Sequence, residues 1–144
     1  MTSRDAALLD TNVLVYAMNE DAQHHAPCRA LRDRALRGAI RVCIAPQVLL
    51  EYYSVVTSPR HVSTPLSGSV ALSDVEKLAT SFPLIHPPHD LHDRVFQLLH
   101  EVPSAGGQVF DVALAATMLA HGVSRIYTYD ARFARLPGLV VLTP

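Results

Sequence analysis

The stretch Ala6-Ala7-Leu8-Leu9-Asp10-Thr11-Asn12-Val13-Leu14-Val15-Tyr16-Ala17 decides the fold. It opens with a short apolar run, breaks at three polar residues that favour turns and caps, and becomes apolar again. That order predicts a buried strand, a turn and a helix. The same reading recurs along the chain. Val42-Cys43-Ile44-Ala45 predicts a second buried strand, and Pro46 suits the first turn of a helix over Gln47–Val56. Arg125-Ile126-Tyr127-Thr128-Tyr129 predicts a strand that again ends at an acid, Asp130. A short helical turn over 131–136 and a last strand, Leu139–Leu142, follow it.

Between these lie further helices. One is expected over His25–Leu36, with Leu31, Ala35 and Leu36 on one face and Gly38 as its stop. Thr57–Ser69 is rich in Pro, Ser, Thr and Gly and predicts a loop. Ser73 and Glu76 have the spacing of a capping box, which predicts a helix from there to Ser81. Pro83–His86 is a brief strand candidate. Asp90–Glu101 and Val109–His121 are helical by their apolar spacing, with Gly122 closing the second. Strands alternating with helices imply an α/β fold with a mostly parallel central sheet flanked by helices. In such sheets ligands bind beyond the carboxyl ends of the strands, where Asp10 and Asp130 are expected.

The chain has 144 residues, enough for one domain over 1–144 with a core of its own. No apolar run approaches the ~20 residues of a membrane span. The polar Met1–Asp5 start lacks a signal-peptide pattern, so a cytoplasmic location is expected. Cys28 and Cys43 make neither a disulfide framework nor a metal motif, and read as small buried residues. The net charge of −1 leaves no global basic field. Eleven Arg stand against a single Lys, Lys77, a bias that genomic base composition explains as well as phosphate recognition does. The eight His residues show no common zinc spacing.

Four carboxylates stand out by their surroundings. Asp10 and Asp130 follow strands, Glu51 interrupts the apolar Val48-Leu49-Leu50-Glu51-Tyr52-Tyr53, and Asp111 sits in Val109-Phe110-Asp111-Val112-Ala113-Leu114. An ionised carboxylate among apolar neighbours is unfavourable unless something pairs with it. Nearby basic residues are lacking, except Arg132 beside Asp130. A divalent cation would supply the missing charge, and a hard ion such as Mg²⁺ favours such donors. Each acid also has an ordinary reading. Asp10 and Asp130 suit helix caps, Asp111 suits a helix N-terminus, and Glu51 suits an exposed helical position.

The ordered set of motifs resembles the PIN-domain family, and within it the VapC-type toxins of toxin–antitoxin pairs. Leu8-Leu9-Asp10-Thr11-Asn12-Val13-Leu14 is similar to the family's opening motif, and Val48-Leu49-Leu50-Glu51 to its helical Glu. Phe110-Asp111-Val112-Ala113-Leu114-Ala115-Ala116 resembles the third acidic motif, and Thr128-Tyr129-Asp130-Ala131-Arg132-Phe133 the fourth. One departure is the absence of a further acid sometimes seen near Asp111, where Val112 and Leu114 stand.

The resemblance implies a Mg²⁺-dependent endoribonuclease, with Mn²⁺ as a substitute, cleaving single-stranded or looped RNA. It implies a VapB-type antitoxin that occludes the site, and a homodimer. Asp10, Glu51 and Asp111 would form the main metal cage and Asp130 would complete it. Thr11, Asn12 and Thr128 would steady the carboxylates, although turn chemistry also explains all three. RNA contacts are expected from Arg60 in the loop, which also brings His61 and several hydroxyls, and from Arg132, and Tyr16, Tyr52 and Tyr53 are candidates for stacking on bases. The cluster Arg29, Arg32, Arg34 and Arg37 reads first as a solvated helix face.

Other readings were weighed. A phosphatase of the HAD type wants a second acid where Asn12 stands, and a structure-specific DNA nuclease usually carries more chain and more basic charge. The alternative from another class is a non-catalytic PIN-like module that binds RNA or protein.

Overall fold

The computed structural model describes residues 5–144, so the Met1–Arg4 part of the N-terminal reading lies outside the described residues. Four strands form one parallel sheet: β1 (Ala7–Leu9), β2 (Val42–Cys43), β3 (Arg125–Tyr127) and β4 (Val140–Leu142). Their order is β2-β1-β3-β4. Leu8 of β1 pairs with Cys43 on one side and Ile126 on the other. The first strand of the chain is therefore central, and it is buried at every position. That accounts for its unbroken apolar run, since a strand covered on both faces has no polar alternation.

Six α-helices are present among the described residues: α1 (Thr11–Met18), α2 (His25–Leu36), α3 (Pro46–Val56), α4 (Gly68–Ser81), α5 (Leu91–Glu101) and α6 (Gln108–Ala120). A 3-10 helix, Ala131–Arg135, joins β3 to β4. Helix α1 packs on α2 and α3, α3 on α4, and α5 on α6. The mostly parallel sheet flanked by helices is thus the observed architecture. Gly38 and Gly122 end α2 and α6 with φ of 73° and 71°, a conformation that other residues enter at a cost.

Several local expectations need correction. Helix α4 starts at Gly68 and not at the Ser73–Glu76 capping box. Ser67 is its cap, its hydroxyl accepting the Val70 N–H at 3.3 Å. Ser73 lies inside the helix, because Ala71 is buried and continues the apolar face upstream of the box. The Thr57–Ser69 loop is correspondingly shorter. Pro83–His86 provides only one isolated parallel bridge, Ile44 to Leu84. Strand β3 stops at Tyr127, since Thr128 and Tyr129 turn toward the site described below. On α2 the core face is Cys28 and Leu31, while Leu36 is exposed. Cys28 and Cys43 are both buried free thiols.

Ser67→Ala should cost about 1 kcal/mol of stability in denaturant unfolding, whereas Ser73→Ala should change it by less than about 0.5 kcal/mol. The reverse ranking would restore the capping box.

Candidate active site

Asp10 is the residue on which β1 ends and α1 begins. Its backbone is extended (φ −76°, ψ 161°), and its N–H donates to Tyr127 of the adjacent central strand at 3.1 Å. The carboxylate is 7% exposed. Its Oδ1 accepts from Thr11 N at 2.8 Å. Its Oδ2 accepts from the Thr128 hydroxyl at 2.7 Å and, at the long end of the range, from Asn12 Nδ2 at 3.4 Å.

Thr128 is 1% exposed and links the two sides of the site. Besides donating to Asp10, its Oγ1 accepts from Asn12 Nδ2 and from Asp130 N, both at 3.0 Å. One donor and two lone pairs are all in use. Asn12 completes the clasp, its Oδ1 accepting the Tyr129 N–H at 3.2 Å. Thr11, Asn12 and Thr128 are therefore bonded to the acids themselves, which goes beyond turn chemistry.

Glu51 is brought in by α3. Its Oε2 accepts from the Thr11 hydroxyl at 2.8 Å and its Oε1 from Gln47 Nε2 at 2.9 Å. Gln47 stands one turn earlier on the same face, and its amide also donates to the Phe110 carbonyl at 3.0 Å. One glutamine thus ties Glu51 to the start of α6, next to Asp111. Asp130 accepts from its own Arg132, with the side chain spanning both carboxylate oxygens at 2.7–3.1 Å.

Asp10, Glu51, Asp111 and Asp130 line one open cavity of about 420 Å³ at the carboxyl ends of β1 and β3. Their fields are felt in their proton affinities. Burial pushes Asp10 up to about 6, against the pull of the Thr128 and Thr11 hydrogen bonds, and the charges of Glu51 and Asp111 add to the rise. Asp111 is raised by burial first and then by the charge of Asp130, with Arg132 opposing. Asp130 is lowered, chiefly by its hydrogen bonds from Arg132. Among the described residues, no basic side chain forms an ion pair with Asp10, Glu51 or Asp111.

This donor set suits a hard cation: three carboxylates without ion-pair partners share one cavity, and burial first, then neighbouring negative charge, raises the proton affinity of Asp10 and Asp111. The arrangement is open rather than closed. Among the described residues no three His, Cys, Asp or Glu side chains are drawn together as a finished metal cage. The hydrogen bonds above explain this, since Glu51 is held by Thr11 and Gln47 and Asp130 by Arg132.

Sequence reasoning did not foresee two neighbours, Gln47 and Arg135. Gln47 could have been found by its one-turn spacing from Glu51. His61, a candidate for phosphate contact with Arg60 in the same loop, does line the cavity from the loop before α4. Arg135 acts on Asp111 and Asp130 from the 3-10 helix, while its Nη1 donates to Ser104 at 2.9 Å. Two expected residues behave otherwise. Arg60 is exposed and is not part of the cavity lining, and Arg132 is engaged by Asp130. Tyr52 is buried with its hydroxyl on Asp74 at 3.0 Å, which removes it as a stacking surface.

A sequence profile of the PIN domain matches residues 7–139, nearly the whole chain. The chain belongs to the PIN-domain family. Its relatives carry VapC names. It is 34% identical over 134 residues to ribonuclease VapC37 of Mycobacterium tuberculosis, covering 92% of each chain. It is 30% identical over 138 residues to ribonuclease VapC48 of the same species, covering 94% of each. The PIN fold is equally evident in solved structures. The sarcin–ricin loop cleaving toxin VapC20 of M. tuberculosis superposes with a TM-score of 0.70 at 18% identity, covering 96% of this chain and 98% of that one. DNA-bound VapBC of Salmonella typhimurium gives 0.70 at 19% identity, with 99% and 98% covered.

The raised proton affinity of Asp10 has a definite consequence for stability. Its folded value, about 6, lies above the ordinary 3.8, so the folded state holds this proton more tightly than the unfolded one. The Asp10 contribution should therefore worsen as pH rises from about 4 to about 6, by on the order of 1–3 kcal/mol. In EDTA, wild-type stability should decline over that window relative to Asp10→Asn. Parallel pH curves for the two proteins would show that Asp10 is not perturbed.

Proposed function

We propose that the chain is a divalent-metal-dependent endoribonuclease, the toxin of a VapBC-type pair, with residues 1–144 acting as one nuclease domain. The observation that carries this is the cavity in which Asp10, Glu51, Asp111 and Asp130 meet at the carboxyl edge of the sheet. The ribonuclease names of its relatives support the choice of RNA. Single-stranded or looped RNA fits an open cavity better than a stacked duplex does.

Asp10, Glu51 and Asp111 would hold Mg²⁺, or Mn²⁺ in its stead, with Asp130 completing the set directly or through water. The ion supplies charge neutralisation at the scissile phosphate and a water of lowered pKa. The protein's part is orientation. Thr11, Asn12 and Thr128 orient the carboxylates of Asp10 and Glu51 by hydrogen bonds. Asp130 is poorly suited to accept the water's proton, because its hydrogen bonds from Arg132 depress its affinity for one. The water oxygen would join phosphorus as the bond to the leaving ribose oxygen breaks, and that oxygen would take a proton from solvent.

The partners are read from the same relatives. A VapB-type antitoxin and a second copy of the chain are the expected protein partners. Exposed Leu50, Tyr53 and Phe110 provide apolar surface for such contacts. Among the described residues no helix is long and apolar enough to cross a membrane, and a cytoplasmic role is part of this reading.

Purified protein, freed of antitoxin, should cut a mixed cellular RNA pool with Mg²⁺ and not with EDTA. Asp10→Asn and Asp111→Asn should each lower the rate more than about 100-fold while remaining folded. Intact RNA under every metal would favour the non-catalytic binding module. Thr128→Val should weaken metal binding about 10- to 100-fold, read by titration calorimetry with Mn²⁺; unchanged affinity would reduce Thr128 to a packing role.

A further inference from the structure

The cavity extends past its carboxylates. Its α1 wall runs from Thr11 and Asn12 to Val15 and Tyr16, one helical turn further on. Tyr16 is half-buried and lines the same cavity as the four acids. Two rings from other elements meet it. Tyr129, which follows β3, has its ring centre 5.8 Å from that of Tyr16 at a tilt of 55°. His24, just before α2, lies flat on Tyr129 at 4.0 Å and 13°, and 5.8 Å from Tyr16.

The trio is anchored by the framework that positions the acids. The Tyr129 N–H is bound by Asn12, and His25 Nδ1 lies 2.8 Å from the Tyr16 carbonyl. Its rings are therefore ordered before any ligand arrives, which lowers the entropy lost on binding. The site also lacks the usual means of attracting RNA. The chain carries a net charge of −1, and the Arg132 side chain is spent on Asp130. A cavity of four acids repels phosphate until a cation fills it. An uncharged surface avoids that repulsion, and the aromatic ring of Tyr16 beside the acids supplies one.

We propose that Tyr16, supported by Tyr129 and His24, is a base-stacking subsite that takes one unpaired nucleobase of the RNA adjacent to the phosphate at the acids. The inference rests on the ribonuclease reading above. It requires an unpaired base, because in a duplex both base faces are already covered. It also requires little discrimination among bases at that position, since every base offers a π face. The ring is what matters, and no hydrogen bond of the Tyr16 hydroxyl is involved.

The test uses an unstructured RNA spanning a mapped cut, and the same RNA with an abasic residue placed in turn at each position around it. An abasic residue next to the scissile phosphate should lower wild-type kcat/KM about 10-fold or more. Tyr16→Leu, which keeps apolar bulk, should lose a similar factor on intact RNA, mainly through KM, and should no longer respond to the abasic residue. Tyr16→Phe, which keeps the ring, should keep the response to the abasic residue. Equal abasic sensitivity in wild type and Tyr16→Leu would overturn the subsite while leaving the nuclease standing. A second measurement separates the two readings: 2-aminopurine at the same position should be quenched on binding to Asp10→Asn protein, and the quenching should vanish when Tyr16→Leu is added. Tyr16-dependent quenching, together with wild-type protein that cuts no RNA under any metal, would retain the subsite and remove the ribonuclease. Quenching that survives Tyr16→Leu would remove the subsite.

Discussion

Everything at the functional end of this molecule depends on keeping one buried carboxylate charged. Asp10 stands where the central strand hands over to α1, nearly out of contact with water. Desolvation of such a group would normally drive it to take up a proton. Two hydrogen bonds from Thr11 and Thr128 oppose that, and the neighbouring Glu51 and Asp111 charges work against them. The balance leaves Asp10 close to neutrality in its proton affinity. A bound cation would shift it decisively toward the ionised form. The site is thus under electrostatic tension, which a bound cation would relieve.

That constraint explains the polar residues around it. Thr128 is wholly buried, yet its hydroxyl has every bond it can make. Asn12 spans from α1 to the exit of β3, and Gln47 spans from α3 to the start of α6. These bridges join four separate chain segments around the acids. A buried polar network of this kind is favourable only when its members are satisfied. The Asn12 bridge also holds the backbone of Tyr129, so one member of the aromatic trio shares a scaffold with the carboxylates.

Much of the fold was legible in advance. The unbroken apolar runs at Ala7–Leu9 and Val42–Cys43 signalled buried parallel strands, and α2 falls on the residues its spacing predicts. The misreadings have a common origin. The Ser73–Glu76 pair satisfied a local capping rule, but burial of Ala71 carried the helix back to Ser67. Leu36 matched the apolar spacing of α2, but the neighbouring elements cover Cys28 and Leu31 instead. Local patterns name candidates for a cap or a core face. The packing partner then selects among them.

The sequence by itself determined the strand–helix order and the turn chemistry at Asp10, because these follow from short-range spacing and side-chain type, while the four acids were singled out by the resemblance of their ordered motifs to the PIN-domain family. It could not determine which distant groups would share a proton, a cavity or a stacking face. The meeting of Thr128 with Asp10, of Gln47 with Phe110 and of Tyr16 with His24 and Tyr129 was decided by the tertiary structure. The physical reason is the sheet order. Placing β3 beside β1 brings residues more than a hundred positions apart to one edge. Hydrogen bonds and ring contacts act over a few ångströms and are blind to distance along the chain.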